Sequence, residues 1–300
     1  MNKIKLVVIM LFAVLFLQCT PSDDEDVLDY IEVQGKMGVG GSRLHLDIDG
    51  TLEWQREDKI YMMSEGIDNT IAVFTAREIN ENNDVITLIS KYNAATCPKV
   101  MYRNLYSLGN WRYYNDTKIT FSIYDQSGYR SDIGKYFIAS ARDVMFKAVD
   151  KKTYTFPMTR LNPMVSVACF DLSLLDERNI IIEYANCYNT INLEYNGIVE
   201  SDYIGENGPT YDRTEVKESY ESGGVMVKTL TDETYVVLLP QKKPLLNTVV
   251  YFKSMDKIIA SINFPNGINV GKLYLNNEGK PIVVVPGDTK SQSEVVEYNF

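Results

Sequence analysis

Short runs in which apolar and polar residues alternate recur along most of the chain. In the segment TKITFSIY, Ile119, Phe121 and Ile123 fall on one face, and polar residues separate them. Side chains in a strand alternate between the two faces of a sheet, so this pattern predicts a half-buried strand. Other runs rich in β-branched and aromatic residues predict strands over 69–76, 84–90, 136–141, 152–158, 234–240 and 248–254.

The segment DKIIASINF shows the same alternation near the end of the chain. Ile258, Ala260, Ile262 and Phe264 are separated by single residues, which predicts a strand with all four on one face.

Turn-forming residues separate the predicted strands, as at 82–84, 205–209 and 265–267, and no long stretch follows the 3.6-residue period of a helix. Many short strands are typical of antiparallel β-sandwiches. The 300 residues would fill two such domains of about 150 residues each. We therefore predict an all-β protein with an N-terminal β-sandwich domain over 29–155 and a C-terminal one over 156–300.

The N-terminus has the pattern of an export signal. Lys3 and Lys5 precede an unbroken apolar run over 6–17, which is too short to span a bilayer and ends just before Cys19. Residues 1–18 thus resemble a bacterial lipoprotein signal peptide, after which Cys19 is lipidated, for example with palmitate. The alternative is an ordinary secretory signal with an incidental cysteine.

An acidic tether follows over residues 19–28, where SDDED forms a block of like charge that favours an extended, solvated segment. It also resembles the acidic tag that directs lipoproteins to the cell surface in gut and oral Gram-negative anaerobes.

Composition excludes several function classes. Forty acidic residues against 30 basic ones give a net charge of −10, which disfavours binding to nucleic acid. His45 is the one histidine, so a metal or catalytic site with two imidazoles is excluded.

Besides Cys19 there are Cys97, Cys169 and Cys187, whose spacings match neither a CxxC motif nor a zinc ligand set. Whether any of them form a disulfide stays open, and Cys169 lies in an apolar run that predicts burial. We predict no metal and no cofactor.

One segment resembles a catalytic motif. Asp47-Ile48-Asp49-Gly50-Thr51 matches the D-x-D-G-T element of haloacid-dehalogenase phosphatases, in which Asp47 would be the nucleophile and Asp49 the general acid. That chemistry requires a parallel sheet flanked by helices, which the pattern lacks. We therefore interpret the segment as a strand leading into an Asp-Gly turn. A magnesium-dependent phosphatase is a remote alternative, and no catalytic residue is predicted.

Four aromatic residues suit a sugar-stacking platform or the packing of core and turns: Trp54, Trp111, Tyr113 and Tyr114. Packing is the preferred interpretation. The platform would make the protein an outer-membrane-anchored glycan-binding lipoprotein, which is the alternative function.

A set of segments resembles, in its order along residues 28–285, the fimbrillin-like proteins that form pili on gut and oral Gram-negative anaerobes. They are DYIEVQGKM (29–37), LEWQREDKI (52–60), ITFSIYDQSGY (119–129) with its glutamine turn, KYFIASARD (135–143), FPMTRLNPMVSVACFDLS (156–173), YVVLLPQ (235–241) and GINVGKLYL (267–275).

The resemblance implies two tandem transthyretin-like β-sandwich domains and a structural or adhesive role in a cell-surface fimbrium, not an enzyme. In the family, a lipidated precursor on the outer membrane loses its N-terminal strand to a protease. A strand from another subunit then fills the groove. The implied partners are other fimbrial subunits, the outer membrane through the lipid anchor, and a ligand on a host or bacterial surface.

Two segments are candidates for these steps. Gly38 to Ser42 predicts an accessible loop, so Arg43 is the candidate processing residue, matching the family's arginine-directed cleavage. Val296, Tyr298 and Phe300 alternate in EVVEYNF, which makes them the candidate donor strand. The alternative is that this tail is the last strand of its own domain or a frayed end.

Overall fold

The computed structural model describes residues 31–39, 45–46, 52–54, 56, 58–63, 71–82, 84–90, 100–109, 111–115, 118–150, 152–177, 179–200, 204–205, 208–209, 212–240, 243–287 and 294–299. Within these ranges the regular structure is strand, apart from a 3₁₀-helix at Arg130–Lys135. The predicted all-β class is confirmed.

The strands are β1 Ile31–Val39, β2 His45–Leu46, β3 Leu52–Glu53, β4 Lys59–Met63, β5 Ile71–Ile79, β6 Val85–Ser90, β7 Val100–Leu108, β8 Trp111–Asn115, β9 Lys118–Ser122, β10 Asp125–Gln126, β11 Ile138–Ala148, β12 Thr153–Thr155, β13 Thr159–Pro163, β14 Ser166–Asp171, β15 Ile180–Tyr184, β16 Tyr188–Glu200, β17 Ile204–Gly205, β18 Gly208–Pro209, β19 Asp212–Ser222, β20 Val225–Val227, β21 Thr234–Leu238, β22 Thr248–Ser254, β23 Lys257–Phe264, β24 Lys272–Asn276, β25 Ile282–Val283 and β26 Val295–Asn299.

The first group of strands closes into a ring. Among the described residues, neighbouring strands pair in the order β1-β6-β5-β4-β7-β11. β11 then pairs with β12 and β13, and both of these strands pair with β1, which closes the ring. Each part of this circuit has hydrogen-bonded neighbours on both sides. Closure of this kind removes the free edges of a sheet, so each strand of the ring depends on two others.

Two further sheets form a sandwich, with strand orders β10-β20-β15-β22-β23 and β21-β14-β24-β26, and β25 beside β14. Phe170 of β14 meets Phe252 of β22 edge to face, with ring centroids 5.1 Å apart. Tyr274 of β24 meets Phe264 of β23 at the same distance. These aromatic pairs join the two sheets and bury large apolar side chains in the core between them.

Gln126 links the two sheets of the sandwich by hydrogen bonds at one side. Its backbone pairs with Val227 of β20. Its side-chain amide donates to the carbonyl of Val237 in β21 at 2.7 Å and accepts the N–H of the same residue at 2.8 Å. Because a glutamine amide both donates and accepts, it replaces a neighbouring strand at the edge of β21.

A long hairpin connects the sandwich to the ring. β16 pairs with β19 and with β9, and β19 meets β7 at the Arg213–Tyr102 pair. Arg142 of β11 also forms an ion pair with Glu218 of β19. Strand pairing therefore crosses the predicted boundary at residue 155, and β13 belongs to the ring. The division into domains 29–155 and 156–300 and their transthyretin-like layout stay predictions.

β23 differs from the predicted face at one residue. Ala260, Ile262 and Phe264 are buried, but Ile258 is 51% exposed. The register with β22 shifts between Phe252–Ala260 and Lys253–Ile258, so β23 carries one extra residue at this point. A bulge of this kind changes the face to which the next side chain points, and the prediction for Ile258 was wrong for this reason.

Two short strands flank the segment that resembles the phosphatase motif. β2 pairs antiparallel with β3, through His45–Glu53 and Leu46–Leu52. This pairing agrees with a strand that enters a turn, whereas the phosphatase chemistry needs the end of a parallel strand. Asp47 and Asp49 lie outside the described residues.

Candidate strand-exchange site

β1 closes the ring through hydrogen bonds on both of its edges. On one side, the N–H of Glu32 donates to the carbonyl of Lys152 at 2.8 Å, and the N–H of Phe156 donates to the carbonyl of Gln34 at 3.0 Å. On the other side, β1 runs antiparallel to β6. Loss of β1 would therefore leave two facing edges unpaired, on β6 and on β12–β13.

Val33 fills an apolar pocket beneath β1. It is fully buried, and its register neighbours are Leu88 of β6 and Tyr154 of β12, which are also buried. Burial of a valine side chain contributes about 2 kcal/mol. A strand that takes the place of β1 needs an apolar side chain at this position.

Gly35 leaves room for the ring of Phe156. A Cβ atom at Gly35 would lie 2.5–2.6 Å from three carbons of that ring, whereas non-bonded carbons pack at about 3.5–4.0 Å. The Phe156 side chain is buried, and its ring centroid is 5.7 Å from that of buried Phe146. The φ angle of Gly35 is not in the left-handed region, so the lack of space explains the glycine.

Gly35 lies where the neighbouring strand is interrupted. β1 pairs with β12 as far as Gln34–Thr155 and with β13 from Met37–Thr159 onwards. Pro157 between them has no N–H and cannot continue the ladder. The sequence predicted one strand through 152–158, and the proline within that run was the signal for this break.

The C-terminal strand β26 is the edge strand of the sandwich sheet. It pairs antiparallel with β24 over five residue pairs, from Lys272–Asn299 to Asn276–Val295. Val296 is half-buried, and Tyr298 is 38% exposed. The tail thus forms the last strand of its own sheet here, and its role as a donor stays a prediction.

Several predicted site residues lie outside the described residues, namely Cys19, Arg43 and Phe300. Arg43 follows the end of β1 by four positions and precedes β2 by two. Trp54 is 3% exposed, which agrees with packing and is unsuited to a sugar platform. The side chains of the other three aromatic candidates are not among those described.

Cys169 and Cys187 are free thiols in buried positions, as predicted for Cys169. Burial raises the pKa of each thiol to about 12, because a thiolate would be poorly solvated there. Cys97 lies outside the described residues.

In the part of the chain that the structure describes, no cluster of three His, Cys, Asp or Glu side chains could hold a metal ion. The described residues also contain no helix of the length and apolarity needed to cross a bilayer.

No protein-family model and no curated protein sequence matches the chain. Solved structures with a similar fold include the tip fimbrial protein Mfa3 of Porphyromonas gingivalis with a C-terminal truncation, at 7% identity and a TM-score of 0.38, covering 90% of this chain and 100% of that one. A candidate cell adhesion protein of Bacteroides ovatus has 13% identity and a TM-score of 0.36, covering 90% and 95%. A fimbrial protein of the same species has 11% identity and a TM-score of 0.28, covering 87% and 54%.

These neighbours are described as fimbrial or candidate cell adhesion proteins, the class that the sequence resembles. Sequence identities and TM-scores this low assign no role to any residue of this chain.

Proposed function

We propose that this protein is a structural or adhesive subunit of a cell-surface fimbrium, exported as a lipidated precursor and assembled by β-strand donation. The observation that carries the proposal is the place of β1, the first described strand, which closes the ring between β6 and β12–β13. Strand donation requires a strand that can be removed and a groove that its removal opens. Cleavage after β1 would make this strand removable, and its departure would open a groove between β6 and β12–β13.

One cut would separate the anchor and the closing strand from the rest of the chain. Cys19 precedes β1, and Arg43 follows it. Cleavage at Arg43 therefore leaves β1 and the lipidated cysteine on the same fragment. After this fragment departs, the remaining chain is released from the outer membrane with an open groove.

The open groove offers main-chain hydrogen bonds and an apolar pocket. The N–H of Phe156 and the carbonyl of Lys152 lose their partners in β1, and so does the edge of β6. Unpaired edges of this kind bind another extended chain, and the Val33 pocket selects an apolar side chain. The protein then forms part of a polymer through strand exchange with other fimbrial subunits.

β26 is the segment of this chain that could be donated to another subunit. It is an edge strand, and the five side chains from Val295 to Asn299 are half-buried or exposed. Because it buries little apolar surface, it can leave its own sheet at modest cost. Val296, Tyr298 and Phe300 would then face the groove of the partner.

The test uses the full-length chain and an arginine-specific protease. Cleavage at Arg43 should leave β1 bound until an excess of labelled peptide IEVQGKMGV (31–39) replaces it, which fluorescence anisotropy would measure. The Arg43→Lys chain is the matched control, and it should not be cut between β1 and β2 and should not exchange. Cleavage of the wild-type chain after Arg43 without any peptide exchange would contradict the proposal.

The anchor is tested on cells that export the protein. Cys19→Ser should abolish palmitate labelling and detergent-dependent extraction from outer membranes. Continued labelling of that variant would contradict the lipidated precursor.

A further inference from the structure

We propose that the groove selects a strand with glycine opposite Phe156. Its occupant in the assembled state is therefore a strand of a different protein and not the C-terminal strand of a second copy of this one. The inference rests on the proposed function, because it names the partner that the groove takes after β1 leaves.

The selection arises from the ring of Phe156. This ring occupies the space that a side chain at position 35 would fill, since even a Cβ atom would lie within 2.6 Å of its carbons. Phe156 is 6% exposed and packs against Phe146, so the ring has little room to withdraw. Its backbone N–H is also bonded to the strand in the groove, through the carbonyl of Gln34. A bulky residue at position 35 must therefore displace a packed side chain.

The pocket and the ring together define a short recognition pattern. The occupant needs an apolar side chain at the Val33 position and glycine two residues later, on the same face of the strand. β1 has this pattern in VQG, whereas the C-terminal segment EVVEYNF (294–300) contains no glycine and no alanine. In every register in which that segment runs through position 35, a residue larger than alanine meets Phe156. Copies of this chain are thus poor acceptors for one another's tails.

The experiment uses the full chain with a specific protease site inserted between Gly41 and Ser42, cut so that both pieces stay together. Labelled peptides then compete for the groove: the native peptide 31–39, its Gly35→Val form, its Gln34→Val form as a matched control at an exposed position, and EVVEYNF. We expect the Gly35→Val peptide and EVVEYNF to bind at least about tenfold more weakly than the native peptide. The Gln34→Val peptide changes only an exposed side chain and keeps the backbone carbonyl that accepts from Phe156, so it should bind like the native one.

A second chain tests whether Phe156 is the cause. In the Phe156→Ala variant, cut in the same way, the difference between the native and Gly35→Val peptides should disappear, because the space becomes available. If that variant does not fold, Phe156→Leu in the uncut chain should reduce the loss of Tm caused by Gly35→Ala. Equal binding of the native and Gly35→Val peptides to the chain with Phe156 would overturn this inference alone. Failure of the native peptide itself would overturn the proposed function.

Discussion

Gln126 makes three buried hydrogen bonds with one side chain, two to Val237 and one to the carbonyl of Ile123. Its replacement would leave both backbone groups of Val237 without these partners in a position closed to water. We expect Gln126→Ala to lower the free energy of unfolding by about 3 kcal/mol, measured by urea denaturation. Gln34→Ala is the matched control at an exposed site and should change it by less than about 0.5 kcal/mol. Similar losses of unfolding free energy for the two variants would contradict the role of Gln126 in linking the two sheets.

The two buried thiols predict a pH-dependent pattern of labelling. The pKa of Cys169 and of Cys187 is about 12 in the folded chain, against 9.0 ordinarily, so thiolate is scarce at pH 8. With Cys19 and Cys97 replaced by serine, iodoacetamide should label neither residue in the native state and both in urea. Because the pKa of each thiol is higher in the folded chain than in the unfolded chain, the contribution of the thiols to the free energy of unfolding is fully present below about pH 9. This contribution is lost as the pH rises towards 12. Rapid native labelling at pH 8, followed by mass spectrometry, would contradict this burial.

Elements with a clear period were predictable from the sequence, and those without it were not. The run 248–254 coincides with β22, because Thr248, Val250 and Phe252 alternate with side chains that are half-buried. β19 carries no such signal, since Val216 and Tyr220 are the apolar residues among its eleven. In β16 the polar Asn192 is buried together with its apolar neighbours, because it bonds to Thr120 of β9 and to Glu221 of β19. Burial of a polar residue by such bonds is not predictable from the alternation of the sequence.

The contacts of β26 predict how much stability the protein loses when this C-terminal strand is removed. Five residue pairs join it to β24, while Tyr298 and Asn299 are exposed. Deletion of 294–300 should therefore lower the free energy of unfolding by only about 1–2 kcal/mol, and the rest of the chain should stay folded by circular dichroism. A loss as large as that expected for Gln126→Ala would show that the strand belongs to the core and is not available for donation.

At the scale of the molecule, the candidate site was only partly predictable. The sequence pointed to Arg43 because Gly38 to Ser42 predicts an accessible loop. That prediction was wrong for Gly38 and Val39, which belong to β1 and pair with β13. The closure of the ring was not visible, since β1 pairs with β12 and β13, which lie more than 110 residues away. The conflict between Gly35 and Phe156 was hidden for the same reason. Contacts across such distances leave no local period in the sequence.

The ring and the sandwich should respond differently to the loss of β1. In the cut chain, displacement of β1 by dilution and washing removes the partners of β6 on one side and of β12–β13 on the other. Hydrogen exchange measured by mass spectrometry should therefore become faster in 85–90 and 153–163. β14 and β22 should keep their protection, because among the described residues they pair with β21 and β24 or with β15 and β23, and none of these strands pairs with β1. The cut chain that retains β1 is the control and should exchange like the intact one. Faster exchange throughout the sandwich would show instead that ring and sandwich unfold together, so that a subunit with an empty groove could not persist long enough to receive its partner.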